Sequence, residues 1–364
     1  MINHNYDLRI STDTEDPAWD AFVVNCPDGH HLQTSLWGQV KATTDWQAIR
    51  IIISKGDQIV SGCQLLLRTL PYIGKVGYVT KGPLCDYNDP DLAKIVLQET
   101  LKVGKDFHLR YVVVQPPNNG TMMDQHLLCC GFRPSWLDVA PTATILIDLS
   151  LDNRTLVKQM KRQNRQNIRR SEKQGIRIRE GDLEDIHTFY LHHLATSERQ
   201  NFEPYTEEYF VRMWEVLAPH GNIKLFLAEY MAKPVSALLV AVFRDTAIPK
   251  LFGWSGLYGE KRPNEALFWG AIRWAKDAGY RYFDMEGIDP QGARAVASGK
   301  PLPESLKNSP TRFKLGFGGE IVFYPEPHDY VYDPVLRWIY RQVSSRITDW
   351  PMIYNKVLDR MRMQ

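Results

Sequence analysis

Two stretches of the chain, offset by 176 positions, repeat one pattern: an apolar run, a tight turn, and a second apolar run ending in arginine. They are Ile49–Arg68 (IRIIISKGDQIVSGCQLLLR) and Leu225–Arg244 (LFLAEYMAKPVSALLVAVFR). Runs of this length bounded by turn residues predict a β-hairpin in each, and Gly56 supplies the positive φ of the first turn. Beyond each hairpin, helical spacing gives way to a short strand: Leu92–Val114 in the first half, Ala266–Glu286 in the second. The first half further predicts a strand near Asp7–Ile10 and a helix over Asp16–Asn25 with Trp19, Phe22 and Val23 inward. A helical stretch with Leu36, Trp37, Val40 and Lys41 follows, then a strand Val76–Thr80 broken by Lys81-Gly82-Pro83. A helix from Pro90 to Lys105 leads to a strand Arg110–Gln115, and Thr144–Asp148 is expected to close the first unit. In the second half, helices over Leu183–Arg199 and Thr206–Leu217 precede the hairpin Lys224–Val242. A strand Pro249–Trp254, a helix Glu265–Ala278 and a strand Tyr282–Met285 come next. Pro290–Pro310, rich in Gly, Pro, Ser and Lys, reads as a mobile loop. Pro334–Met363 is helical in pattern and is expected to return to the first unit. Two copies of one α/β unit predict a ligand site at the cleft between them.

Composition adds a size and a compartment. The 364 residues suit two domains of about 150–180 residues, and 44% apolar with 24% charged residues is ordinary for globular chains. The N-terminal residues lack the basic and apolar regions of a signal peptide. The longest apolar run, Ala237–Phe243, is far short of the ~20 residues that span a bilayer. Five scattered cysteines without a CxxC pair predict reduced thiols. The expectation is a soluble cytoplasmic protein, monomeric.

Charge is where the composition conceals something. Between Arg154 and Arg179 lie ten Lys/Arg residues and one acid, Glu172. Removing them leaves 34 basic against 41 acidic residues, so a segment of +9 sits on a body of −7. On one helix, Lys158, Arg162, Arg165 and Arg169 fall at i, i+4, i+7 and i+11, a cationic stripe that repels itself unless an anion offsets it. A solvated helix face is one reading, and a polyanion such as tRNA is the other.

The order strand, helix pair, hairpin, strand, helix, strand is similar to that of the N-acetyltransferase superfamily. The expected fold class is therefore α/β (α+β): two tandem N-acetyltransferase-like domains, each a mixed sheet flanked by helices. The first would comprise 1–150 with 325–364 and the second 151–324, with 152–179 a basic helical linker.

Seven motifs in order make a more specific resemblance. Gln33-Thr34-Ser35-Leu36-Trp37-Gly38-Gln39-Val40-Lys41 resembles the opening of the Fem peptidoglycan aminoacyltransferases, and Lys81-Gly82-Pro83-Leu84-Cys85-Asp86 their R-G-P-x-x-D step. The basic helix before Lys173-Gln174-Gly175-Ile176 resembles their linker, and Thr196-Ser197-Glu198-Arg199-Gln200-Asn201-Phe202 their T-x-x-R-x-x-F. Pro263-Asn264, Phe283–Ile288 and Phe313–Gly319 complete the series. The resemblance implies transfer of an amino acid from aminoacyl-tRNA, as co-substrate and without a further cofactor, to the amine of a UDP- or lipid-linked muropeptide. Pro334–Met363, with Arg337, Arg341, Arg346 and Arg360 near Trp338, Ile339 and Trp350, could instead rest on a membrane face and so make peripheral contact with a membrane-borne precursor. By the same resemblance Lys41 and Arg199 hold the acceptor's diphosphate, with Trp37 and Tyr258 in the same substrate site. Lys314 stabilises charge at the reacting ester, Asp86 is a candidate base, and Lys158, Arg162, Arg165 and Arg169 meet the tRNA. No residue is assigned to a metal. Met285-Glu286 departs from the family's frequent aromatic–glycine pair, and no heptad-bearing insertion is present.

Each position also has a plainer reading. Lys41 fits a solvent-facing helix residue, and Arg199 fits a cation relieving a helix dipole by ~0.3–1 kcal/mol. Lys314 could snorkel over an apolar edge, and Asp86 could shape the Asn88-Asp89-Pro90 turn. Asp284 and Glu286 suit hydrogen bonding of their own loop, while Trp254, Tyr258 and Trp269 suit core or cleft lining. Two rival functions remain, an acyl-CoA-dependent N-acyltransferase and a non-catalytic RNA-binding protein. The glycines of Gly253–Gly259 are wrongly spaced for a pyrophosphate turn. His187, His192 and His193 miss the i, i+4 spacing of a helical zinc pair.

Overall fold

The computed structural model describes residues 6–338 apart from positions 72, 87, 136, 138, 335 and 336. The expected helix over 334–363 lies almost wholly outside the described residues. The chain divides into two compact units, 1–140 with 324–364, and 141–323.

In the first unit, β1 (Asp7–Ser11), β2 (Gln47–Lys55), β3 (Gln58–Leu70), β4 (Gly74–Thr80) and β5 (Tyr111–Gln115) lie side by side in that order. β14 (His328–Val331) and β6 (Arg133–Pro134) extend the sheet beyond β5. Its helices are α1 (Pro17–Asn25), α2 (Ser35–Ala42), α3 (Pro90–Asp106) and α4 (Met123–Cys129). The second unit repeats the order: β8 (Arg177–Gly181), β9 (Ile223–Tyr230), β10 (Lys233–Phe243), β11 (Thr246–Trp254) and β12 (Tyr282–Asp284), then β7 (Ala143–Asp148) and β13 (Glu320–Phe323). Its helices are α5 (Asn153–Gln159), α6 (Arg162–Lys173), α7 (Ile186–Gln200), α8 (Glu207–Leu217), α9 (Pro263–Asp277), α10 (Pro290–Ala297) and α11 (Pro310–Lys314). The two hairpins thus occupy equivalent positions, the second and third strands of each sheet, and each sheet contains a single parallel pair, β4·β5 or β11·β12, among described residues.

Local chemistry sets the helix starts. Asp16, Asp89, Asp289 and Ser309 each accept a hydrogen bond from the third backbone N–H after them, and proline follows at the first helical position. The apolar faces of the strands then form one core per unit. Ile49, Ile51, Leu65, Val96, Val112 and Val114 centre the first, and Phe226, Leu238, Val240, Leu267, Ile272 and Phe283 the second.

Three expectations are corrected. Thr144–Asp148 does not close the first sheet: β7 pairs with β12 and β13 in the second, and β14 takes the corresponding place beside β5. The second unit consequently begins before the expected boundary. Pro290–Pro310 is not simply a loop, because Asp289 caps α10 and buried Gly292 packs against Leu302, Leu306 and Thr311. Finally, 152–179 is not a linker. Its end forms edge strand β8, and its helix breaks at Met160 and Lys161, whose backbones are extended. The break is held by the Lys161 N–H on the Gly316 carbonyl at 3.0 Å and by Gly318, whose Cβ position would lie 2.8 Å from the Gln159 backbone.

A buried ion pair anchors the first unit. Arg50 on β2 is 1% exposed and lies 3.5 Å from Asp16, itself 4% exposed. Arg50 also donates to Gln64, Ser11 and the Asp13 carbonyl. Burial opposes ionisation of Asp16, but hydrogen bonds from Arg9 and Ser11 outweigh it and hold the carboxyl below its usual pKa. Removing one partner of such a pair strands the other charge. Asp16→Ala is therefore expected to lower stability by about 3–5 kcal/mol in urea denaturation at neutral pH. A loss under ~1 kcal/mol would show that the neutral partners alone satisfy Arg50.

Candidate functional site

The two parallel strand pairs are not alike. In the first unit β4 and β5 stay paired over five positions, from Val76–Tyr111 to Thr80–Gln115. In the second, β11 and β12 pair only at Thr246–Tyr282 and Ala247–Phe283, then part. Pro249 brings no N–H to the ladder, and Lys250 is the extra residue of a bulge between the Leu239–Leu251 and Val240–Pro249 pairs. Past β12 the chain follows β7 instead: the Met285 and Ile288 N–H groups donate to the carbonyls of Ile145 and Ala143. The second sheet is left open between β11 and the 284–288 loop.

Backbone groups released by this parting need other partners. One face of α7 supplies them. His193 Nδ1 meets the Phe252 carbonyl at 3.1 Å. Thr196 Oγ1 accepts the Trp254 N–H at 2.8 Å and lies 3.2 Å from the Trp254 carbonyl. Arg199 Nη2 donates to that carbonyl, while its guanidinium stacks 4.8 Å above the Trp254 ring. Residues 193, 196 and 199 stand three apart, so a single helix face stitches the end of β11. Gly256, at φ +87°, fits because a Cβ there would lie 2.8 Å from Arg199 Nη1.

On the other side of the opening, Lys314 at the end of α11 donates to the carbonyls of Glu286 and Gly287, the latter at 2.8 Å. Burial pushes the Lys314 pKa down, with Glu286 and Asp284 opposing that shift and Lys250 adding to it. Glu286 holds a left-handed φ of +47° and pairs through Oε1 with Lys250. Asp284 accepts from Thr144 Oγ1 at 2.5 Å and from the Glu286 N–H at 2.8 Å. Two lysines and two acids thus gather at this edge. Lys250 escaped the sequence reading because a lysine within an otherwise apolar strand carries no motif; the adjacent Pro249 was the available signal.

The remaining candidates fall as follows. Lys41 is 5% exposed, which removes its solvent-facing alternative, and Trp37 is buried with its ring edge-on to His31 at 5.5 Å. Asp86 is exposed and accepts from the Asn88 N–H at 2.9 Å and side chain at 3.1 Å, so it shapes the turn. Tyr258 is 38% exposed and packs on Tyr230 with ring centroids 4.8 Å apart. Arg199 and Lys314 share no contact; each grips a different strand end. The four-residue stripe is corrected. Lys158 belongs to α5, while Arg165 turns back to the carbonyls of Lys158 and Met160, capping that helix. Arg162 and Arg169 remain exposed on α6 with Arg170 and Lys173, and among the described residues no acid pairs with these four. Arg179 is drawn off to Asp185 and Glu229.

Among the described residues no cluster of three or more His, Cys, Asp or Glu could hold a metal ion, and no helix is long and apolar enough to cross a membrane. The cysteines are free thiols, and burial pushes Cys63 up to about 12, away from nucleophilic use.

Two units of mixed sheet and flanking helices define an N-acetyltransferase-like protein in tandem form. Residues 158–292 match the model of an acetyltransferase (GNAT) domain, and residues 14–129 that of the FemAB family. The likeness to the FemAB family is carried by residues 14–129, in the first unit. A lipid II:glycine glycyltransferase of Staphylococcus saprophyticus is 26% identical over 231 residues, 60% of this chain and 56% of that protein. One from Staphylococcus aureus strain MRSA252 is 26% identical over 221 residues, 58% and 52% of the two chains. The chain spans about half the length of these curated relatives. Among solved structures, FemX superposes with a TM-score of 0.78 over 92% of this chain and 99% of that one, at 18% identity. L-PGS from Bacillus licheniformis gives 0.56 over 93% and 98%, at 14% identity. At such identities the likeness speaks of fold.

The α7 stitch carries a pH dependence. Burial lowers the pKa of His192 and His193 below the ordinary 6.5, only partly offset by backbone hydrogen bonds to Pro234 and Phe252. His193 lies among Phe189, Phe202 and Phe210, and its Nε2 has no hydrogen-bond partner. Below pH 6.5 the unfolded chain takes up protons that the native state refuses, so stability should fall as pH drops from about 6.5. Urea midpoints at neutral and mildly acidic pH should show the loss, and His193→Gln should flatten it. An unchanged slope in the variant would assign the effect elsewhere.

Proposed function

We propose that the chain transfers an amino acid from aminoacyl-tRNA to the stem-peptide amine of a lipid- or UDP-linked peptidoglycan precursor. The observation that carries this reading is the opening in the second sheet, bordered by fixed cations. The matched relatives named lipid II:glycine glycyltransferases support the acceptor class.

The reaction joins the acceptor nitrogen to the ester carbonyl and breaks the bond to the ribose oxygen. One amine proton ends on that oxygen and, if the amine starts as an ammonium, a second goes to solvent. Negative charge collects on the carbonyl oxygen before the ester breaks. A charged Lys314 has three donors, of which the loop carbonyls use two. The third suits that developing charge, held in place with no reorganisation. The bonds of Arg199 to Trp254 and Thr196 both use Nη2, which leaves Nε and Nη1 for phosphate oxygens. In the first unit, buried Lys41, with Trp37 on the same helix α2, offers a cation of its own for phosphate. Tyr258 lies on the loop that Arg199 braces. The unpaired cations of α6, with Lys158, suit the tRNA backbone.

The direct test is incubation with charged total tRNA and candidate muropeptides, with the ligated product found by mass. Acetyl-CoA in place of charged tRNA should yield none. Arg199→Met should raise the acceptor KM with a smaller change in kcat, whereas Lys314→Met should lower kcat by ~10²–10³. Equal effects of the two variants on both constants would defeat this division of labour. Reversing Lys158, Arg162 and Arg169 to Glu, with Arg165 kept for its capping role, should weaken tRNA binding and flatten its salt dependence. Undiminished binding by the folded variant would reduce these cations to a solvated face.

A further inference from the structure

One end of the second unit exposes apolar side chains that no core explains. Met231 at the β9–β10 turn is 77% exposed and Leu257, after β11, is 60% exposed. They belong to one patch, because Tyr230 and Tyr258, their chain neighbours, pack against each other with tilted rings 4.8 Å apart. Soluble surfaces scatter single apolar residues, but a cluster of this kind calls for a partner.

The turn itself is chosen against local preference. Tyr230 pairs with Lys233, so Met231 and Ala232 form a two-residue turn, and both are left-handed, at φ +53° and +58°. Asn or Gly would relieve both positions. A methionine there keeps a long, flexible apolar side chain at the tip of a hairpin.

Cations surround the patch. Lys261 sits 5.3 Å above the Tyr230 ring, and Lys233 stands beside Tyr230 across the hairpin. Gly175, two residues past Lys173, has its Cβ position 4.0 Å from the same ring. Of the nearby acids, Glu229 is already paired with Arg179, leaving Glu172 and Glu260 exposed.

We propose that this tip docks on an anionic membrane surface, with Met231 and Leu257 entering the acyl boundary, the tyrosines at headgroup level and the lysines on anionic headgroups. Interfacial binding uses this division of side chains. An RNA strand is the weaker fit, since its bases stack on aromatic faces, whereas the two most exposed residues here are aliphatic. The proposal goes beyond the transferase reading, because vesicle binding is measured without catalysis.

The test is co-sedimentation of the full chain with phosphatidylglycerol–phosphatidylcholine vesicles and with phosphatidylcholine vesicles alone. The wild type should pellet with the anionic vesicles and be released by salt. Met231→Asp with Leu257→Asp should reduce binding by about tenfold or more. Aspartate tolerates the left-handed turn position, and an unchanged thermal melt would show the variant folded. Transfer to a water-soluble muropeptide by the single variant Met231→Asp should match the wild type, so failure of the activity and failure of docking are read separately. Equal pelleting of variant and wild type would overturn the proposal, as would a wild type that ignores anionic vesicles. Weakened tRNA binding by the variant, with vesicle binding intact, would identify an RNA surface instead.

Discussion

A sheet that parts must satisfy the backbone groups it releases, and much of the second unit is organised by that requirement. β11 leaves β12 after Ala247, so the carbonyl of Phe252 and both polar groups of Trp254 turn to His193, Thr196 and Arg199. The carbonyls of Glu286 and Gly287, on the opposite margin, turn to Lys314. A buried carbonyl without a donor costs about as much as a lost hydrogen bond, so these side chains are structural before they are anything else. The two residues proposed for phosphate and for the reacting ester, Arg199 and Lys314, are thereby fixed in place by the fold. This fixation is what electrostatic stabilisation of a reaction demands, because a cation already held need not reorganise when charge develops.

The same economy explains why motif and geometry agree in the helix bearing Arg199. Thr196, Arg199 and Phe202 resemble a family signature, and each has a physical task. Thr196 and Arg199 stitch the strand end, and Phe202 packs at 5.4 Å on His193, which completes the stitch. Gln33, which opens the first motif, likewise donates to the Thr80 carbonyl at 2.6 Å and accepts from the Gln64 N–H at 2.7 Å. Asn264 accepts from Ser236 at 2.9 Å and so ties α9 to β10. A motif residue can therefore serve the fold and the chemistry together, and its presence alone does not separate the two.

What the sequence made legible follows from range. The hairpins, their capped helices and the duplication rest on local pattern, and they stand where the alternation of apolar residues put them. The sixth strand of each sheet was not legible. Thr144–Asp148 and His328–Val331 are both short strands able to lie antiparallel beside a fifth strand, and nothing local says which sheet each joins. The cationic stripe failed for a similar reason. Helical spacing from Lys158 to Arg169 assumes one axis, yet the break at Met160 is set by Gly316 and Gly318, more than 150 residues away. The ion pair of Lys250 and Glu286 was equally hidden, since it depends on a bulge that only the register of β10 and β11 reveals.

The two units differ at their parallel strand pairs. Both have the same strand order, so the fold alone cannot make one of them open. In the first, β4 and β5 remain zipped to Thr80 and Gln115, and the polar side chains behind them are occupied: Gln33 by Thr80 and Gln64, Gln64 by Thr34, and Arg50 by Asp16. In the second, a proline and a bulged lysine stand where β4 continues unbroken, and helix side chains replace the missing strand. The difference is therefore local, set by a few residues in one strand, and it puts the candidates Arg199 and Lys314 on the unit whose parallel strands part.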